Sequence, residues 1–205
     1  MKDWTGNHSA LFANLGASNH TEQQREVNDY YATNPKAISR LLRKKQLPRV
    51  IYECACGEGH LSEELKKHGH EVISTDLIDR GYGTGGIDFL KVDKLNEDCT
   101  CILTNPPYKF TLEFIEHSLK LLPESGEAIF LLNVNNLAGK TRFERLYSKG
   151  CLKEVFLFPD RIACAKNGDF ASVSSSAVNY AWFVFSKGYS GTTKLHWIEK
   201  TLKGF

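Results

Sequence analysis

The 205 residues suffice for one domain with a sizeable core and are short for two. Hydrophobic residues make up 41% and charged residues 24%, a globular balance that excludes a disordered chain, and no apolar run is long enough to span a bilayer. A formal net charge of +2, with a pI near 8.2, is compatible with a nucleic-acid partner but too mild to argue for one.

Met1 to Asn14 is polar and lacks the basic segment and apolar stretch of a secretory signal, so a cytoplasmic protein is expected. Residues 1–28, rich in Asn, Ser, Gly and Gln without a period, read as a flexible N-terminal arm, and 29–205 as a single domain. A first helix starts at Asn34-Pro35, where Asn34 caps free amides and Pro35 in the first turn loses no hydrogen bond. Ala37, Ile38, Leu41 and Leu42 give it an apolar face, and Pro48 closes the segment. Val50 to Cys54 then reads as a strand, Leu61 to Lys67 as a helix, Glu71 to Thr75 as a strand, and Gly86 to Phe89 as a short one. Cys101 to Thr104 is a strand, followed by a helix from Thr111 to Leu122 whose core stripe is Leu112, Ile115, Leu119 and Leu122. Glu127 to Leu132 reads as a strand, and Phe143 to Ser148 lies in a helix that Gly150 ends. Val155 to Phe158, Tyr180 to Phe185 and Leu195 to Ile198 complete the strands. Strands alternating with helices imply an α/β fold, a mostly parallel sheet covered on both faces. The six residues Ser186 to Gly191 leave no room for a helix, so the last two strands are expected to pair antiparallel at one edge.

Six cysteines include two CxC pairs, Cys54/Cys56 and Cys99/Cys101. Structural zinc sites place their cysteines on turns at wider spacing, whereas these lie in or beside apolar strands. Strand alternation puts each pair on one face, so buried reduced thiols are expected, and no metal.

The first of these strands ends in Glu53-Cys54-Ala55-Cys56-Gly57-Glu58-Gly59-His60 and runs into a helix. Two glycines there let the backbone turn sharply and approach a ligand beyond the carboxyl end of a strand, although a GxG alone also makes an ordinary tight turn. A dinucleotide loop would carry a third glycine where Ser62 stands. Asp76, 19 residues after Gly57, ends the second strand, where a carboxylate can accept from ribose hydroxyls. Asp88, with Phe89 after it, ends the third: the carboxylate could accept from an adenine amine and Phe89 could pack on the ring.

This set resembles the class I S-adenosylmethionine-dependent methyltransferases, with Glu53, Gly57 and Gly59 matching the family's first motif, Asp76 its second and Asp88-Phe89 its third. The resemblance implies a Rossmann-like methyltransferase fold with S-adenosyl-L-methionine as cofactor. It places Gly57 and Gly59 at the methionine part, Asp76 at the ribose and Asp88 at the adenine. Ala55 and Leu77, beside these residues, join the cofactor set.

Asn105-Pro106-Pro107-Tyr108 follows the Cys101 to Thr104 strand directly. Two prolines fix the backbone and remove two amide donors, which leaves the Pro106 carbonyl to face a ligand. The Asn105 side chain adds a second acceptor. An amine on an aromatic ring has a delocalised lone pair. Acceptors on both its hydrogens draw the nitrogen towards a tetrahedral state, while Tyr108 stacks on the ring. NPPY here is similar to the motif of amino-methyltransferases that act on adenine, cytosine or glutamine amide nitrogen. By that resemblance Asn105, Pro106, Pro107 and Tyr108 are catalytic, and Asn105 also borders the cofactor.

Upstream, Tyr30-Tyr31-Ala32-Thr33-Asn34-Pro35 resembles the N-terminal motif of DNA adenine methyltransferases, with Asn34-Pro35 where two prolines are common; Thr33 carries over as a cofactor neighbour. Downstream, Phe158 to Ile162, the polar loop to Ser176 and Tyr180 to Phe185 look like the second half of small phage-type N6-adenine enzymes, with the loop facing substrate and Lys166 near phosphates. The resemblance covers Tyr30 to Phe185 and implies methylation of adenine N6 in DNA, on a base flipped out of the duplex. Specificity would sit on the N-terminal arm, the Asn135 to Arg142 loop, the Asp160 to Ser176 loop or a partner protein. RNA-base or protein-glutamine methylation, an inactive cofactor-binding module and a nicotinamide oxidoreductase are the competing readings. Intact Asn105 to Tyr108 speaks against the module, and Ser62 against the oxidoreductase.

Overall fold

The computed structural model describes residues 31–162, 164–166 and 178–199; the arm 1–28 and most of the 160–176 loop, including the Lys166 and Cys164 side chains, lie outside the described residues. A two-stranded sheet pairs β1 (Tyr31–Thr33) antiparallel with β7 (Cys164–Lys166). The main sheet contains β2 (Val50–Glu53), β3 (Glu71–Ser74), β4 (Cys101–Thr104), β5 (Glu127–Asn133), β6 (Leu152–Leu157), β8 (Tyr180–Ser186) and β9 (Lys194–Trp197). Their spatial order is β3-β2-β4-β5-β8-β6-β9. β8 is antiparallel to both neighbours, and every other pairing is parallel. The helices are α1 (Lys36–Leu42), α2 (His60–Lys67), α3 (Thr111–Leu121) and α4 (Lys140–Arg145). This is a Rossmann-like fold of the expected α/β class, mostly parallel with helices on both faces. Among the described residues no helix is long and apolar enough to cross a membrane.

Two buried layers follow from strand alternation. Ile51, Leu103, Ile129 and Leu131 point to one face and meet Ala37, Ile38 and Leu41 of α1 and Leu61 and Leu65 of α2. Tyr52, Ile102, Ala128 and Phe130 point to the other and meet Phe114 and Ile115 of α3. Asn34 caps the first helix as expected, its Oδ1 accepting from the Lys36 amide at 3.0 Å. The expected stripe of α3 packs on the second of these layers, with Ile115 and Leu122 fully buried and Leu112 and Leu119 partly so, and Phe114 and Ser118 widen the buried face.

Three expectations are corrected. β9 pairs with β6 rather than with β8, because β8 is buried at all seven positions and a strand so covered takes partners on both edges. Gly86 to Phe89 is no strand. The glycine-rich stretch before it turns back to form one bridge, Thr84 to Thr75, and Asp88 accepts from the Leu90 amide at 3.1 Å to cap a 3-10 turn over Phe89–Lys91. Cys99 and Cys101 are buried as expected but fall in opposite layers, since Cys99 precedes β4 and escapes its alternation.

Phe158 and Ile162 are buried and Asp160 is paired, so this stretch is tied to the scaffold. Arg40 of α1, itself buried, makes a two-pronged bond to Asp160 at 2.6 and 3.0 Å and covers the Phe158 ring at 4.8 Å. Together with the β1–β7 pairing, this brings the N-terminal element and the segment after β6 to one place.

Candidate active site at the carboxyl ends of β2 and β4

β2 lies between β3 and β4, so the chain leaves it to one side and returns on the other. Such a switch point opens a crevice beyond the carboxyl ends of the strands. The glycine turn, Asp76 and the NPPY segment all stand at that rim.

Gly57 and Gly59 have φ of 56° and 82°, the left-handed region where a Cβ is strained. A Cβ on Gly59 would also lie 2.5 Å from the Tyr82 ring. Tyr82 holds its place by donating to Glu63 at 2.6 Å and accepting from Lys66 at 2.8 Å. The sequence marks Tyr82 only by its position between Gly81 and Gly83, whose φ of 78° and 65° turn the chain on both sides of the ring.

Asp76 organises this turn. Its carboxylate accepts from the Gly57 amide at 2.7 Å and the Ile78 amide at 2.9 Å, and pairs with Arg80 at 3.1 Å. Leu77, next to it, is 57% exposed, an apolar surface at the edge of the crevice. These features fit an adenosine-bearing ligand: a carboxylate for hydroxyls, an apolar side chain for a flat base, and backbone without Cβ for close approach. Asp88, half-exposed, pairs with Lys91 at 3.2 Å. Phe89 does not serve as expected. It is 2% exposed, with its ring centroid 4.9 Å from Phe114 and 5.0 Å from His117, and so belongs to the core.

Glu53 is buried at the end of β2 and accepts from the Ser62 hydroxyl, which in turn bonds Ser74 at 2.6 Å. Ser62, which stands where a dinucleotide loop has glycine, therefore has a structural task. Burial pushes the Glu53 carboxyl up to about 8, against the lowering effect of Ser62. A carboxyl whose folded value exceeds its unfolded one near 4.3 contributes stability below that value and loses it as pH rises through about 8. The wild-type melting temperature should therefore fall between pH 5 and 8, and Glu53→Gln should flatten that fall, as measured by calorimetry. An unchanged slope would show that Glu53 is not the titrating group.

The NPPY segment leaves β4 at the same rim. Asn105 donates from Nδ2 to the buried Thr33 hydroxyl at 3.0 Å across 72 residues, which orients the amide oxygen away from Thr33. Pro106 is buried, Pro107 starts a 3-10 turn over Tyr108–Phe110, and the Thr111 hydroxyl donates to the Tyr108 carbonyl at 3.0 Å. Tyr108 is 37% exposed, and its hydroxyl lies 2.7 Å from that of Tyr180, the buried first residue of β8. Tyr180, known from sequence only as a strand residue, thus anchors the exposed ring. The structure gathers Thr33, Glu53, Ala55, Gly57, Gly59, Asp76, Leu77 and Asn105 to Tyr108 on one edge of the sheet, and takes Phe89 away.

The sequence matches no family model and no curated protein. Among solved structures, the chain is similar to a protein from Listeria monocytogenes described as a class I S-adenosylmethionine-dependent methyltransferase. Identity is 14% and the TM-score 0.53, over 93% of this chain and 72% of that one. It is similar to a protein from Lactococcus lactis described as a hemolysin, with 10% identity and a TM-score of 0.55, over 78% and 88% of the two chains. The M protein of the type I restriction enzyme EcoKI matches at 14% identity and a TM-score of 0.54, over 80% of this chain and 45% of that one. At such identities these likenesses establish a shared fold.

Proposed function

We propose that the protein transfers the methyl group of S-adenosyl-L-methionine to an exocyclic amino group, adenine N6 in DNA. The observation that carries this reading is the hydrogen bond from Asn105 to Thr33 beside the Asp76-bound glycine turn. It joins the amine-binding motif to the N-terminal element at the cofactor end of the sheet. The shared fold with the M protein of a restriction enzyme points the same way.

When bound, the cofactor supplies an electrophilic methyl group. Gly57 and Gly59 would border its amino-acid part, Asp76 its ribose, and Leu77 its adenine. Asp88 would reach the adenine amine only by giving up Lys91. The Asn105 side-chain oxygen and the Pro106 carbonyl accept the two hydrogens of the target amine, which localises its lone pair and aims it. Tyr108, steadied by Tyr180, stacks on the target ring, a task that requires the base to leave its duplex. Orientation and fixed dipoles therefore provide the rate, with no covalent enzyme intermediate.

The test is transfer of labelled methyl to duplex DNA, single-stranded DNA, RNA and a protein extract in parallel, followed by nucleoside analysis. N6-methyladenine from DNA supports the proposal. Label in RNA or in glutamine keeps the chemistry and moves the substrate, and no label in any acceptor despite cofactor binding overturns it.

A further inference from the structure

Beyond the crevice, the same rim carries exposed aromatic and cationic side chains that methyl transfer does not use. Phe143 of α4 is 60% exposed, Phe110 42% and Leu137 43%. Single exposed apolar residues are ordinary surface, but these three stand on segments that are tied to one another. Arg145 at the end of α4 pairs with Glu116 and comes within 4.0 Å of Glu113, laying α4 beside the first turns of α3. The lead-in to α3 is the turn that holds Tyr108, Lys109 and Phe110. On the other side, Arg142 and Tyr147 both donate to the Asn136 carbonyl, which pins the turn over Val134–Leu137 to α4. That turn leaves β5, the sheet neighbour of β4. The surface is therefore continuous with the proposed catalytic motif.

Its charge has a positive surplus. Lys109, Lys140, Arg142, Arg145 and Lys149 stand against Glu113, Glu116 and Glu144; Glu113 and Glu116 lie at Arg145, Glu144 lies 3.9 Å from Lys140, and Lys109 lies over the Phe110 ring at 5.5 Å. Protein–protein interfaces are depleted in lysine at their cores. Aromatics interleaved with cations are what a nucleic-acid strand needs, rings for bases and cations for phosphates.

Resting on the function proposed above, we infer that Phe110, Leu137 and Phe143, with Lys109, Lys140 and Arg142, hold the nucleotides flanking the target base. The bases stack on the rings while the cations follow the backbone. Because every base has a stacking face, the grip of this rim is tolerant of sequence.

The test uses the full chain with S-adenosylhomocysteine and short labelled single-stranded and duplex oligonucleotides containing adenine, read by fluorescence anisotropy. Phe143→Ala should weaken binding by about tenfold, as loss of one stacked base does. Lys109→Ala with Lys140→Ala should make the dependence of log affinity on log salt shallower by about 0.7–0.9 per lysine. Cofactor affinity, measured by calorimetry, should stay at the wild-type value in each, which separates this inference from the catalytic reading. Wild-type oligonucleotide affinity and salt slope in both variants would overturn it. So would a Phe143→Ala chain that loses a dimer in sedimentation while keeping its grip on the oligonucleotide, since the rim would then belong to a second copy. If wild type binds oligonucleotide through this rim but transfers no methyl, the inference stands and the proposed function fails.

Discussion

Asn105→Ala is expected to lower methyl transfer by roughly a hundred- to a thousandfold, the cost of removing one preorganised polar group from a reacting centre. The arylamine nitrogen becomes a good nucleophile only when both of its hydrogens are held, and alanine leaves the Pro106 carbonyl as the single acceptor of the pair. The Nδ2 bond to Thr33 is lost as well, so the amide is removed together with the contact that aims it. Asn105→Asp keeps an acceptor while losing that donor, and should fall between wild type and alanine. Single-turnover rates with labelled cofactor measure both variants, and equilibrium titration of the cofactor should show affinity within a few-fold of wild type. Full transfer by the alanine variant would sink the assigned mechanism.

Asp76→Ala should act at the opposite end of the site and in the opposite way, through cofactor affinity. The carboxylate holds the Gly57 and Ile78 amides at 2.7 and 2.9 Å and neutralises Arg80, whose side chain is mostly buried. Hydrogen bonds to a charged group are each worth about 1.5–3 kcal/mol, so losing both amide bonds costs about 3 kcal/mol or more, roughly a hundredfold in affinity if the loop must be ordered on binding. Asp76→Asn keeps an acceptor for one of the two amides, turns its NH2 to the other and lacks the charge for Arg80, so it should recover only part of that loss. Calorimetric titration of S-adenosylhomocysteine separates the two variants. The same affinity in Asp76→Ala as in wild type would show that the turn is held by other contacts.

The sequence carried the parallel part of the sheet because its signals are local. Val50–Glu53, Cys101–Thr104 and Glu127–Asn133 are apolar runs, as strands covered on both faces must be, and each is followed by a turn or helix signal within a few residues. The glycine turn and Asp76 could be related by their spacing alone, and the bond between the Gly57 amide and Asp76 is what that spacing encodes. Phe89 belongs to the core rather than to the crevice, a difference that its local sequence does not record. A Phe after an acidic residue is the same in sequence whether it faces a crevice or a core, and the glycine-rich stretch before it gives no period from which to choose.

Chain order, local propensity and short motifs determined the α/β class, the helix start at Asn34, the turn at Gly57 and Gly59, and the rigid turn of Asn105 to Tyr108 at the end of a strand, because each depends on residues within a few positions of one another. Only the tertiary structure decided that β6 separates β8 from β9, that Thr33 meets Asn105 across 72 residues, that Tyr180 anchors Tyr108, and that Arg145 ties α4 to α3. These are pairings between distant segments, set by which apolar faces must be covered and which polar groups must find partners once the chain is compact. No local pattern records a partner that lies so far along the chain.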